Sequence, residues 1–574
     1  MNLIPQPKFI KTEKEMLNKK AISLKSELKD ERLIKALKDI PVKDDGIPLA
    51  IKGENGDGEG YSLKIDNEEI VLSAGGTAGA FYGIQTLKQI FLHDEIPCLY
   101  IEDAPDMKYR GFYHDVTRGK VPKLETLKKL VDDMARFKLN SLQLYVEHSF
   151  AFKEYEGINE PLGYLTQEEI KALDKYCRDR FIDLVPSLAT FGHLYHLLQT
   201  EKYKHLSELK DHKPDKLYWI ERMMHHTINP LIPESFELIK SLLDQFLENF
   251  TSKYFNICCD ETFDLCSDVN AGKDKAERYA GFVNRLVEYL ESKGKTVMMW
   301  GDIVLKHPDY LDKISPNVIF LNWTYGKNVN PDRFTTFTNY GKKQIVCPGT
   351  NSWNAFSDNV DVEEVNISLM AQYGYENNSL GILNTNWGDF GNLCSLNMSA
   401  YGLISGAAVG WNKETEFNED FRKKASKMFY GNEETVQLLY ELSLTRNAAN
   451  WHKTVWCESA REFPNPKDVP DNFASLIEDF EEKDVYINAM KTCLSVKEKM
   501  KKLTFLSDDL YKDALLAADG YALVIKWCAF FGGMKIDCHV DFDEWFREYK
   551  EKWLEKNKVS EFSELERIFY SLEK

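Results

Sequence analysis

The chain has 574 residues, 43% hydrophobic and 29% charged: a globular balance, with length for about three domains. Its net charge of −18 repels phosphate backbones and anionic lipid, so nucleic acid and membrane are not expected partners. The eleven cysteines include no Cys-x-x-Cys pair, which excludes zinc-ribbon and thioredoxin chemistry; scattered through apolar runs, they read as buried thiols in a reducing compartment.

The start, Met1 to Met16, is polar and lysine-rich, unlike a secretory leader. No run of about 18 apolar residues is read as a membrane span, and a cytoplasmic location is expected. Across residues 1–105, Tyr61 to Asp66 alternates like a strand and Ile70 to Ala74 forms another after a turn. Ala78 to Phe91 carries Phe81, Ile84, Leu87 and Phe91 at helical spacing. This predicts a small α+β domain, closed by a linker at Asp103-Ala-Pro-Asp106. From 106 to 414 the pattern becomes regular. Strand-like apolar runs fall at Tyr109–Val116, Ser141–Val146, Asp183–Ala189, Tyr254–Asp260, Thr296–Gly301, Val318–Trp323, Gln344–Gly349 and Leu380–Gly388. Helical segments such as Leu124–Phe137, Gln167–Arg180 and Glu234–Phe250 separate most of them. Eight buried strands alternating with helices predict an α/β fold, a (β/α)8 TIM barrel. Residues 415–574 are charge-rich with helical period, at Glu433–Leu444, Asp471–Met500 and Tyr511–Gly532, and predict a C-terminal helical domain.

In such a barrel functional side chains collect at the C-terminal strand ends. Here those ends carry Arg118, Glu147, His148, His193, Asp260, Glu261, Trp300, Asp302, Trp323, Trp353, Trp387 and Asp389. Asp260-Glu261 is the sharpest feature. Two adjacent carboxylates closing a buried strand face desolvation and mutual repulsion, so one of them is expected to hold its proton to unusually high pH, as a general acid must. The plainer alternative is a helix N-cap at Asp260. The thirteen per cent of aromatic residues, with 11 Trp, suits either a sugar-stacking pocket or a large aromatic core.

Several ordered anchors resemble the family 20 glycoside hydrolases, the β-N-acetylhexosaminidases. These are the stretch Ala74 to Gln89, Arg110-Gly-Phe-Tyr-His-Asp-Val-Thr-Arg118, the Lys138-Leu-Asn140 turn, the Asp260-Glu261 pair, and the late Trp300, Trp323 and Trp387-Gly-Asp389. The resemblance implies exo-hydrolysis of terminal, non-reducing β-linked GlcNAc or GalNAc with retention. In it the substrate's own 2-acetamido oxygen attacks the anomeric carbon to form an oxazolinium. Glu261 would be the acid/base, and Asp260 would orient the acetamide and balance the developing charge. Substrate-binding roles carry over to Arg118, Glu147, His193, Trp300, Trp323, Trp353, Trp387 and Asp389. No cofactor or metal is implied, the partner is a glycan or glycoconjugate, and a homodimer is the expected assembly.

The chain departs from that pattern. Asn256, Cys258 and Cys259 stand where the family commonly has His-x-Gly-Gly. Tyr145-Val-Glu-His-Ser-Phe-Ala-Phe152 replaces a motif rich in His, Asp and Trp, and Pro348 to Trp353 lacks the tyrosine expected to hold the acetamide, leaving Tyr325 or Trp353 as substitutes. Together these resemble a divergent, cytoplasmic-type exo-hexosaminidase branch. Three rivals are weighed against this reading. An O-GlcNAc hydrolase relative would carry an Asp-Asp pair. A catalytically inactive carbohydrate-binding barrel has no need of a buried acid. A metal hydrolase built on His193, His196, His225 and His226 matches no zinc spacing.

Overall fold

In the computed structural model the described residues are 1–24, 30–53, 56–159, 163–210, 226–461 and 479–574. The first layer is a six-stranded sheet of β1 (Phe9–Met16), β2 (Ile22–Leu24), β3 (Ile47–Lys52), β4 (Asp57–Ile65), β5 (Ile70–Gly76) and β6 (Pro97–Asp103), in the order β1-β6-β4-β5-β3-β2. Helix Thr77–Phe91 covers one face, burying Phe81, Ile84 and Leu87. Strand β1 was not expected: its burial is low along its length, and it is held by antiparallel pairing to β6, which periodicity does not report. This unit meets the barrel through buried charge. Lys138 Nζ lies 3.1 Å from Asp103, which also accepts hydrogen bonds from Tyr61 and from Trp411 Nε1. Arg110 forks onto Glu59 at 2.9 and 3.0 Å.

The barrel closes from β7 (Tyr109–Asp115), β8 (Ser141–Val146), β9 (Asp183–Leu188), β10 (Tyr254–Asn256), β11 (Thr296–Trp300), β12 (Ile319–Trp323), β13 (Lys343–Cys347) and β14 (Gly381–Asn386), all parallel, with β14 pairing back onto β7. Strands β8 and β14 are buried at every position, as expected of strands enclosed by a helical ring. The last barrel helix, Ala400–Trp411, is buried throughout. Gly402, Gly406 and Gly410 recur every fourth residue, and a Cβ on them would strike Thr350, Asn384 and Ile382 at under 3 Å. The glycines therefore let this helix sit directly on the strand ends.

One strand ends early. The run expected to reach Asp260 is regular only to Asn256. The Asn256 carboxamide accepts the Cys258 N–H at 2.9 Å, a local turn that ends the extended backbone. Cys258 and Cys259 then adopt φ of 58° and 62°, the left-handed region where glycine is favoured. The two cysteines thus hold left-handed backbone at the positions where the resembled pattern has Gly-Gly.

Beyond the barrel the described chain is helical, with Glu419–Tyr430, Thr435–Ser443, Trp451–Ala460, Lys483–Met500, Asp508–Phe531, Phe542–Lys556 and Phe562–Glu573. The part of the expected 471–500 helix before residue 479 lies outside the described residues, as does His225. Helix 508–531 is long and apolar enough to cross a membrane by length and composition, contrary to the sequence reading. Yet 72% of its apolar window is buried, among the helices packed round it, so it serves as the core helix of this region.

Candidate active site

Strand ends β7, β8 and β14 build one side of the pocket. Asp115, the last residue of β7, accepts the backbone N–H of Arg118 at 3.0 Å and that of Gly388 at 3.1 Å, joining two strand ends. The Arg118 guanidinium reaches Asp389 at 3.2 Å, Glu147 at 3.5 Å and Asp115 at 3.9 Å. It also lies about 5 Å from the ring centres of Tyr145 and Trp387. Burial opposes its charge, but Tyr145 and these carboxylates outweigh that and hold its pKa well above the ordinary arginine value. Asp389 is pushed up to about 6, by burial first, with Arg118 pulling the other way. Asp389 itself takes a φ of 45°, strain of the kind that gathers at functional sites.

Strand ends β9, β10 and β11 build the opposite side. Asp260 is buried and Glu261 is partly open to the pocket. His193 Nε2 lies between them, 3.6 Å from Asp260 and 3.4 Å from Glu261. Burial works against charging His193, but Asp260 and Glu261 overcome it and raise its pKa to about 10. An imidazolium therefore offsets the carboxylate pair at neutral pH. His193 and Glu261 both take positive φ, 60° and 46°. The two loops touch closely: a side chain at Gly192 would meet the Asp260 carbonyl at 2.6 Å. The Glu261 N–H donates to Asp302 at 3.2 Å. Asp302 is the carboxyl pushed up here, to about 7, by burial first and then by the charges of Asp260 and Glu261. The carboxylate crowding that the sequence predicted at the pair is thus expressed on a third acid beside it.

Aromatic residues line the space between. Trp300 and Trp387 have ring centres 5.7 Å apart, and Tyr113 packs on both at 5.0 Å. Trp323 stacks on Tyr325 at 5.1 Å, and Trp353 meets the same tyrosine edge-on. Trp387 Nε1 donates to the Tyr325 hydroxyl at 2.8 Å, which also bonds the Thr385 side chain. Arg446, from the C-terminal helices, donates to the carbonyls of Asn351 and Trp353 and props the loop that carries Trp353.

The residues singled out in the sequence form one contiguous cluster: Arg118 touches Glu147, Trp387 and Asp389, Trp387 packs on Trp300 and bonds Tyr325, Tyr325 packs on Trp323 and Trp353, and Tyr145 links Trp387 to His193 beside Asp260 and Glu261. Asp302 stood among the strand-end residues but not among the site candidates, although the Trp300-Gly-Asp302 spacing was visible. Tyr113, Tyr145 and Asp115 lie within strands β7 and β8, where inward and outward positions cannot be told apart without the register. Of the histidines considered as metal ligands, His193 is engaged with the carboxylate pair.

"Glycosyl hydrolase family 20, catalytic domain" matches residues 107–380, and "Glycosyl hydrolase family 20, domain 2" matches residues 2–104. The chain belongs to glycosyl hydrolase family 20. It is similar to a β-hexosaminidase of Porphyromonas gingivalis, 27% identical over 51% of this chain and 40% of that one. A lacto-N-biosidase of Bifidobacterium bifidum is 23% identical over 70% of this chain and 34% of that one. The chain spans less than half the length of these two relatives. Among solved structures, a Flavobacterium johnsoniae chitobiase superposes with a TM-score of 0.61 at 17% identity, covering 96% of both chains. A Vibrio harveyi exo β-N-acetylglucosaminidase superposes with a TM-score of 0.60 at 18% identity, covering 76% of this chain and 78% of that one. These likenesses carry the fold: the barrel with its N-terminal sheet domain.

Proposed function

We propose that this protein is an exo-acting β-N-acetylhexosaminidase that removes terminal β-linked GlcNAc or GalNAc with retention, the sugar's own acetamido oxygen acting as nucleophile. The observation that carries the reading is the state of Asp260. Its Oδ2 faces the His193 imidazolium, while its buried Oδ1 has no hydrogen-bond partner among the described residues. A buried carboxylate oxygen left open inside an aromatic cage costs stability unless a ligand donor satisfies it. An acetamide N–H is such a donor, and Asp260 would then hold the amide and balance the oxazolinium charge. The Tyr325 hydroxyl would donate to the acetamide oxygen in exchange for its bond to Thr385. Glu261, the more accessible carboxyl, would protonate the leaving oxygen and then deprotonate the incoming water. Because the nucleophile comes from the substrate, the separation rule for two-carboxylate glycosidases does not govern this pair. Arg118, Asp389 and Glu147 would bind the hydroxyls of the terminal sugar, making the enzyme exo-acting.

All eleven cysteines are free thiols, nine of them buried, which supports a reducing, cytoplasmic setting. The test is parallel hydrolysis of aryl β-GlcNAc, β-GalNAc and β-glucoside, with the product anomer followed by NMR. The expected result is turnover of the acetamido sugars alone, with the β-anomer formed first. Comparable turnover of the β-glucoside, or an inverted product, would sink the substrate-assisted mechanism.

A further inference from the structure

Outside the sugar pocket, three metal-binding side chains converge where the barrel meets the C-terminal helices. His148 follows strand β8 directly, His196 lies in the short helix Tyr195–Leu198, and Glu561 precedes helix Phe562–Glu573. His148 and Glu561 are under 5% exposed. The two imidazole rings sit 4.0 Å apart, tilted by 56°. Both Nε2 atoms aim at one oxygen, Glu561 Oε1, at 3.7 and 3.6 Å, and one ligand atom from each residue lies within 4.8 Å of the other two.

We propose that His148, His196 and Glu561 bind a zinc ion, with water as its fourth ligand. Zinc takes imidazole nitrogen and carboxylate oxygen at about 2.0–2.2 Å in a tetrahedron, whose edges are then about 3.4 Å. The observed separations from Glu561 exceed that edge by only a few tenths of an ångström. A set of two nitrogens and one oxygen suits zinc better than magnesium or calcium, which prefer oxygen alone. The site joins three segments that are distant in sequence, and two of them border the sugar grip. His148 adjoins Glu147, which pairs with Arg118. The Glu561 N–H donates to the carbonyl of Gly119, the residue after Arg118, and Ser560 Oγ accepts the Val121 N–H. A zinc ion here would pin the C-terminal chain to the loops that fix Arg118 and Glu147. It would take no part in bond cleavage, so the proposal stands apart from the reading of the sugar pocket.

The test uses the full chain, stripped of metal by chelator dialysis and titrated with ZnCl2 against a chromophoric chelator. The expected result is about one equivalent bound, with a raised melting temperature that MgCl2 does not reproduce. Glu561→Gln and His196→Ala should weaken zinc binding by roughly tenfold or more and abolish the thermal shift. His205→Ala, which removes an imidazole paired with Glu234 at the surface, should bind zinc as the parent does. Zinc bound equally by the parent and Glu561→Gln, or no stoichiometric binding, overturns the site. Should the variants fail to fold, anomalous diffraction at the zinc edge on parent crystals decides: a peak among the three side chains supports the site, and its absence there refutes it.

Discussion

The two sides of the pocket handle charge in opposite ways. On the side of β7, β8 and β14, one guanidinium is enclosed by Asp115, Glu147 and Asp389, so a single cation is over-compensated. On the side of β9, β10 and β11, Asp260 and Glu261 share one imidazolium, and a third acid, Asp302, accepts the Glu261 N–H. The first arrangement is closed on itself and presents fixed donors and acceptors, as a grip on neutral hydroxyls requires. The second is short of positive charge and leaves a carboxylate oxygen without a donor among the described residues. That shortage suits a site where cationic character develops during the reaction. The same residue type, aspartate, anchors backbone with both oxygens at position 115, whereas at position 260 one oxygen faces His193 and the other meets no donor among the described residues.

If this contrast is right, damage to the two sides should differ in kind. On the reacting side, Asp260→Asn should lower kcat by roughly 10²–10³ through loss of a preorganised charge, with little change in folding stability; steady-state kinetics beside urea denaturation would check both. On the gripping side, Arg118→Ala leaves two buried carboxylates and a partly buried one without their cation. It should cost about 3–5 kcal/mol of folding stability and, in the protein that remains folded, about 2–3 kcal/mol in kcat/KM. An Arg118→Ala protein as stable as the parent would place that guanidinium in solvent instead.

A smaller effect separates Asp302 from its neighbours. Its pKa rises from 3.8 to about 7 on folding, so burial penalises its ionised form. Its contribution to stability is therefore fully present below pH 3.8 and is lost as pH rises toward 7. Asp302→Asn should remove a slope of up to about 1.4 kcal/mol per pH unit in that window. Melting curves at several pH values would show it, and an unchanged slope would mean that Asp302 titrates like an exposed acid.

The smallest effect concerns the strained turn before the pair. Cys258 and Cys259 hold left-handed backbone, so Cys259→Gly should exceed Cys259→Ala in stability by about 0.5–1 kcal/mol, after allowing for glycine's greater unfolded entropy. Denaturant midpoints of the two variants decide the sign.

Much of this was legible in the sequence. The barrel strands were readable because runs such as Val318–Leu321 are apolar throughout, a pattern that burial on both faces imposes. The candidate residues come together because a parallel barrel gathers its strand ends at one rim, so Arg118 touches Trp387 although they stand 269 positions apart in sequence. What escaped depended on register or on polar turns. The early end of β10 is set by a single carboxamide at Asn256, the exposed strand β1 by pairing alone, and the contact between Tyr325 and Trp387 by a hydrogen bond across two loops. Asp302 was visible as a strand-end acid, but its raised pKa follows from the proximity of Asp260 and Glu261 in space.

The division of labour between the adjacent acids is the central claim, and leaving-group dependence tests it most directly. A series of aryl β-GlcNAc substrates of graded leaving-group acidity should be run on Asp260→Asn and Glu261→Gln. Glu261→Gln should be nearly normal in the first step with the most acidic phenols and fall steeply as the leaving group becomes a poorer acid, because the missing proton matters more. Asp260→Asn should be slow by a similar factor throughout the series, since acetamide orientation and oxazolinium charge do not depend on the aglycone. A steep dependence in Asp260→Asn with a flat one in Glu261→Gln would reverse the assignment, and full activity in both would place the chemistry elsewhere in the barrel.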